Sequence, residues 1–227
     1  MPDAPQHGSG HRARLRQRLI EGGSEALLDH ELVEYLLALA IPRRDTKPLA
    51  KALLAEFGGI GGLFTADSEA LSRVAGMGDT AVAALKIVQA ATLRLLRSEV
   101  ASAPVLAGWQ ALLDYLRADM AHKTTERVRV LHLNSRNMLI RDEIMAEGSI
   151  DQAAVSVREI VRRALDLGSA SIILVHNHPS GDPQPSRADI SLTREIVSAG
   201  KPLGLGVHDH VIIGAKGHSS MRAMGLL

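Results

Sequence analysis

The 227-residue chain contains no cysteine. Disulfides and thiolate metal sites are therefore excluded, and any bound metal must take imidazole and carboxylate ligands. Aromatic residues are scarce: Tyr35, Phe57, Phe64, Trp109 and Tyr115 are the whole set, too few rings for the stacking platforms of single-strand nucleic-acid binders. Charge of one sign is also lacking, since the net formal charge is +1. There is no global polycation to grip phosphates, although Arg12, Arg14, Arg16 and Arg18 crowd the first helical segment. No apolar run reaches the length of a membrane span, and Met1–Gly8 lacks the basic-then-apolar form of a signal peptide, so the expectation is a cytoplasmic protein with no membrane partner.

What is present is more telling. Ser171-Ile172-Ile173-Leu174-Val175 is short, apolar and β-branched, which predicts a buried strand. It runs straight into His176-Asn177-His178-Pro179-Ser180-Gly181-Asp182-Pro183-Gln184-Pro185-Ser186-Arg187-Ala188-Asp189. Alternate residues of a strand share a face, so the two imidazoles point the same way. The prolines and Gly181 force a turn, Ser186 suits a helix N-cap, and Asp189 falls in the first turn of a helix reaching about Ala199. Two imidazoles and one carboxylate are thereby brought together. Three protein ligands with a fourth position left for water is the design of a catalytic zinc site, whereas structural sites close all four. A capping box alone would account for Ser186 and Asp189, though not for the histidines.

The spacing His-x-His, seven residues, Ser, two residues, Asp resembles the JAMM motif of MPN-type zinc metalloproteases, and His176 to Asp182 looks like the bacterial RadC branch of that group. The resemblance covers roughly residues 10 to 226. It implies zinc ligands at His176, His178 and Asp189, one Zn²⁺ per chain, and an oxyanion-stabilising role for Ser186. It also implies a glutamate several dozen residues upstream that holds the catalytic water. The family places that residue at the start of the first strand of a hairpin, which favours Glu126, ahead of Arg127 to Leu133. Glu143, in the strand expected from Met138 to about Ala146, is the alternative; Glu159 reads as a helix-start charge. For Glu126 the plainer reading is an exposed strand-edge charge.

With zinc so held, bound water ionises near neutral pH instead of at about 15.7, a glutamate serves as general base and then general acid, and Ser186 with the metal steadies the oxyanion. Cleavage of a peptide or isopeptide amide suits such a set. A His-Glu-x-x-His helix is absent, which argues against the thermolysin-like arrangement. A second His-x-His, His208-Asp209-His210, lacks the following Ser-x-x-Asp. RadC-like sequences resemble this stretch at Asp209-His210, and it is expected in the core or behind the ligands rather than on the metal.

The remainder predicts two domains: residues 1–10 a disordered tail, 11–98 all-helical, 99–108 a linker, and 109–227 an α/β domain with a mixed sheet. Helices are expected near Arg12 to Glu21, His30 to Ala40, Pro48 to Phe57 with Thr46 as cap, Ser68 to Arg73, and Asp79 to Leu96. Leu32, Tyr35, Leu36 and Leu39 form a stripe expected to face the core. Val74-Ala75-Gly76-Met77-Gly78 resembles the hairpin of a helix-hairpin-helix motif, where Gly76 and Gly78 would expose backbone amides to a DNA phosphate; a glycine-capped turn serving only packing explains the same residues. The leading expectation is a zinc metallopeptidase or isopeptidase acting on a peptide or protein. The alternatives are a DNA-associated repair or recombination factor, binding or cutting DNA, and a zinc platform without turnover. Substrate identity and oligomeric state leave no mark in the sequence.

Overall fold

The computed structural model describes residues 7–148 and 156–227. The chain forms two compact units, Met1–Thr92 and Leu93–Leu227.

The first unit is helical: α1 His7–Gly22, α2 Asp29–Ala40, α3 Lys47–Glu56, α4 Ile60–Thr65, α5 Ser68–Ser72, and the start of α6, Asp79–Ser102. Val33, Leu37, Leu49, Leu53, Leu63, Leu71 and Leu85 close its core. The expected stripe on α2 is rotated. Val33, Glu34, Leu37 and Ala38 are the buried residues, whereas Leu39 is 67% exposed. Consecutive apolar residues offer two overlapping stripes at helical spacing, and the neighbouring helices cover the one centred on Val33 and Leu37. Helix α4, Ile-Gly-Gly-Leu-Phe-Thr, was not expected, because two glycines carry poor helix propensity and tertiary burial of Gly62, Leu63 and Thr65 overrides it. Thr46 occupies the N-cap position of α3 without a side-chain cap bond; its hydroxyl donates instead to the Glu34 carbonyl at 2.9 Å.

Two expected boundaries need correction. Residues 7–10 of the anticipated disordered tail belong to α1, while residues 1–6 lie outside the described residues. The segment 99–108 is not an extended linker, since α6 continues to Ser102. Leu93, Leu96 and Val100 pack in the second unit's core, and that apolar spacing carries the helix past the point where Ser98 suggested a stop.

The second unit contains α7 Trp109–Met120, β1 Glu126–Leu133, β2 Leu139–Gly148, α8 Val157–Asp166, β3 Ser171–Asn177, α9 Arg187–Gly200, β4 Gly206–Gly214 and β5 Gly217–Ser220. Its mixed sheet has the order β2-β1-β3-β4-β5, with β3 parallel to β4 and the other pairs antiparallel. Strand β3 is central and buried along its whole length, as its unbroken apolar run requires. One face, through Leu131, Leu133, Ile173, Val175, Val211 and Ile213, packs on α7. The other, through Val130, Ile172 and Leu174, packs on α8 and α9. The architecture is thus an all-helical part followed by an α/β part with a five-stranded mixed sheet. Among the described residues no helix is long and apolar enough to cross a membrane.

Candidate metal centre

His176 continues the Ile172 and Leu174 face of β3, which puts it on the α8 and α9 side at the strand's C-terminal end. His178 extends the ladder by one rung, its amide donating to the Ile213 carbonyl at 2.9 Å. Beyond it the chain turns back at Gly181, with φ at +79°, a value that suits glycine. The turn lies so close to Gly214 that a side chain there would overlap the Gly181 carbonyl. Helix α9 then begins with a reciprocal cap: Asp189 N donates to Ser186 Oγ at 3.1 Å and Ser186 N donates to Asp189 Oδ2 at 2.7 Å. The cap fixes the Asp189 rotamer and aims it at the histidines.

Three side chains consequently converge. His176 Nε2 lies 2.9 Å from His178 Nε2 and 3.3 Å from Asp189 Oδ1, and His178 Nε2 is 3.5 Å from Asp189 Oδ2. Among the described residues this is the one group of three or more His and carboxylate side chains placed to share a cation. Ligands at 2.0–2.1 Å from a tetrahedral zinc are separated by about 3.3–3.4 Å, close to both separations from Asp189, while the two imidazole nitrogens stand about 0.4 Å nearer than that.

The protons around the group can be assigned from its hydrogen bonds. A carbonyl oxygen only accepts. His178 Nδ1 is 2.8 Å from the Asp182 carbonyl, so it carries a hydrogen, and Nε2 is the nitrogen turned toward His176 and Asp189. Thr193 Oγ1 is 2.6 Å from the Asp189 carbonyl and must donate to it. Its lone pair then accepts from His210 Nδ1 at 2.5 Å. His210 is 2% exposed, and burial, followed by the charge of His176, pushes its pKa down to about 3, so the ring is neutral and its Nε2 is bare. That atom accepts from His176 Nδ1 at 2.8 Å, which turns His176 Nε2 toward Asp189 and His178. The two Nε2 atoms thus face each other across 2.9 Å. A proton relieves one such pair of atoms; a divalent cation meets both nitrogens and the carboxylate together. Burial works to raise the Asp189 pKa, but the hydrogen bond and charge of His176, with those from Ser186, outweigh it and hold the group well below the usual carboxylate range.

Glu126 opens β1. Val128 pairs with His176 in the antiparallel ladder, so Glu126, two residues earlier, lies on the histidines' face of the sheet. Its Oε2 is buried and hydrogen-bonds to nothing among the described residues. Asn177 clamps this strand end, accepting from Arg127 N at 2.9 Å and donating to the Thr125 carbonyl at 3.0 Å. Glu143 has other partners: Arg163 grips both its oxygens, at 2.7 and 2.5 Å, and that contact lowers its pKa. Glu159 pairs with Arg162 on the exposed face of α8. Asp209 takes no part in the group; it accepts from Ser220 Oγ at 2.5 Å and from Arg222 N at 3.0 Å, fastening the C-terminal turn. The Ser186 hydroxyl accepts as a cap and keeps its own hydrogen for donation. The sequence reading missed Thr193, the clamp made by Asn177 and the carbonyl of Asp182. Thr193 lies one helical turn beyond Asp189, the only such signal available in advance.

A mixed sheet with His-x-His at a central strand's end and an aspartate delivered by the next helix defines a JAB-like α/β domain. Residues 106–226 match the family model described as RadC-like JAB domain, and residues 9–83 match UPF0758 N-terminal. A UPF0758 protein of Rhodobacter capsulatus is 52% identical over 213 residues, covering 94% of this chain and 100% of the relative. Another, from Ruegeria pomeroyi, is 47% identical over 223 residues, covering 98% and 100%. The chain belongs to this RadC-like, UPF0758 family.

Proposed function

We propose that the α/β unit is a zinc-dependent amide hydrolase, a JAMM-type metallopeptidase or isopeptidase, with His176, His178 and Asp189 as ligands. The supporting observation is the convergence of two Nε2 atoms 2.9 Å apart with the Asp189 carboxylate at 3.3 and 3.5 Å, each ring oriented by a hydrogen bond on its other nitrogen. A zinc ion held there would supply a Lewis acid that makes water a nucleophile near neutral pH.

The protein's own groups do the rest. Glu126 takes the proton of the attacking water and returns it to the leaving amine. Its buried oxygen, without a partner among the described residues, supports this role over Glu143, whose lone pairs are held by Arg163. Ser186 directs its remaining hydrogen toward the carbonyl oxygen as negative charge develops. Asn177 acts by holding the strand end that carries Glu126. A peptide or protein substrate and a cytoplasmic location belong to the same reading. A nuclease is less well supported, because phosphodiester hydrolysis commonly uses two ions about 3.5–4 Å apart, and this group offers donors for one.

The test is a panel of fluorogenic peptide and isopeptide substrates with zinc-reconstituted protein. Cleavage that disappears in Glu126→Gln while bound zinc persists supports the reading. Cleavage unchanged by that substitution transfers the base role elsewhere, and hydrolysis of DNA but no amide would favour the phosphodiesterase alternative.

A further inference from the structure

The helical unit carries an open cleft of about 1150 Å³ between α1 and the α2–α3 turn. Arg12, Arg14 and Arg16 line it from α1, and Arg43, Arg44 and Lys47 line it from the turn and the start of α3. Two carboxylates share the cleft. Glu34 is 3% exposed and turned toward His11 at 2.9 Å, and Asp45 Oδ1 accepts from the Lys47 backbone at 3.0 Å. Among the described residues no carboxylate pairs with Arg14, Arg16, Arg43 or Lys47, whereas Arg18, Arg73, Arg127, Arg129, Arg162 and Arg163 all have such partners. A concave wall of unneutralised like charge repels itself and concentrates counter-ions of opposite sign.

Backbone detail organises the wall. Arg43 adopts φ of +66°, one of two non-glycine residues with positive φ among those described, in a region a side chain rarely enters. Arg12 donates to the Arg44 carbonyl. The Arg44 guanidinium lies over Gly76, where a methyl group would come within 2.8 Å of it. Gly76, at φ of +97°, is favoured by its conformation. The turn earlier likened to a helix-hairpin-helix therefore borders the cleft through Arg44. Gly78 has open space around it, and its carbonyl starts α6 by accepting from Ala81 and Val82.

We propose that this cleft seats the phosphate backbone of duplex nucleic acid. The chemistry is that of phosphates rather than bases: Tyr35 is the one aromatic residue in the lining, and Phe57 and Phe64 pack against the core. Guanidiniums without carboxylate partners are free to take phosphate oxygens in two-pronged contacts.

The experiment is anisotropy titration of the full chain against a labelled 20-base-pair DNA duplex from 50 to 200 mM KCl. Engagement of about four phosphates gives an affinity loss of about 100-fold across that range. Arg14→Glu, Arg16→Glu and Arg43→Glu together should weaken binding at least about tenfold and flatten the salt dependence, whereas Arg158→Glu, on α8, should leave both unchanged. If the triple variant misfolds by circular dichroism, glutamines at the same positions give the same comparison. No binding at 50 mM KCl with tens of micromolar protein, or equal binding by the triple variant, overturns the proposal. So does tighter binding of the single strand, or of poly-glutamate as a stand-in for an acidic protein.

Discussion

His176 Nδ1 and His210 Nε2 lie 2.8 Å apart, and through this contact the hydrogen of a threonine 17 positions before His210 makes His176 Nδ1 the donor and aims Nε2 at Asp189. The relay runs Asp189 carbonyl, Thr193 hydroxyl, His210, His176. An aspartate proposed as a ligand therefore also sets, through its own backbone, the tautomer of a histidine proposed as another. Thr193→Val removes the link with little change in volume and should weaken zinc binding about 10–100-fold, as loss of an outer partner does. Competition with a chromophoric chelator measures it; affinity equal to the parent would show that the relay does not govern the ligand.

Asp189 has two duties that substitutions can separate. Asn at 189 keeps an oxygen for the cap and loses the charge, whereas Ala loses both. Metal-free Asp189→Ala should be less stable than metal-free Asp189→Asn by about 1 kcal/mol, the usual worth of a cap. Both should retain little zinc. Urea denaturation of the two apoproteins checks the difference.

Asn177→Ala leaves an amide N–H and a carbonyl of the β1 end without their clamp. Stability should fall by about 1–3 kcal/mol, the cost of stranding buried polar groups. Zinc content should hold near the parental value while turnover drops, because the side chain holds Glu126 and not the metal. Equal losses of zinc and turnover would point to general disruption of the site.

Away from the site, Arg18 grips Glu31 through both guanidinium nitrogens, at 2.7 and 2.9 Å. This contact, aided by the Leu28 amide, brings the Glu31 pKa from 4.5 down to about 2. A carboxylate depressed by folding stabilises above its unfolded pKa, and the contribution vanishes as pH falls through the folded value. Glu31→Gln should thus lower Tm at pH 6, with the gap to the parent closing between about pH 4.5 and 2. Differential scanning calorimetry across that range tests it. A gap independent of pH would mean that charge is not the source.

Much of this was legible in residue order because the decisive signals are local. The β-branched run before His176 specifies a buried strand, alternation puts His176 and His178 on one face, and Ser186 with Asp189 spells a cap. The α/β part with its mixed sheet and the helical first unit followed from the same kind of pattern. Features that depended on distant partners were harder to read. His210 does stand behind a proposed ligand as expected, but it is 34 residues from His176, and Asn177 reaches back 52 residues to Thr125, so no spacing rule names either partner. The stripe on α2 and helix α4 were settled by neighbours that cover one face and not another. The resemblance favoured Glu126 over Glu143, and what residue order did not show is that Arg163 holds Glu143 while Glu126 Oε2 meets no described partner.

The central claim is that two imidazoles and a carboxylate are arranged for a single cation. Zinc K-edge absorption of protein reconstituted with one equivalent tests it most directly. The account predicts one tightly held zinc with two imidazole nitrogens and one carboxylate oxygen at about 2.0–2.2 Å, leaving a position for water, and loss of the imidazole signal in His176→Ala with His178→Ala. Failure to retain zinc after reconstitution, or an absorption spectrum unchanged by removing both histidines, would contradict it.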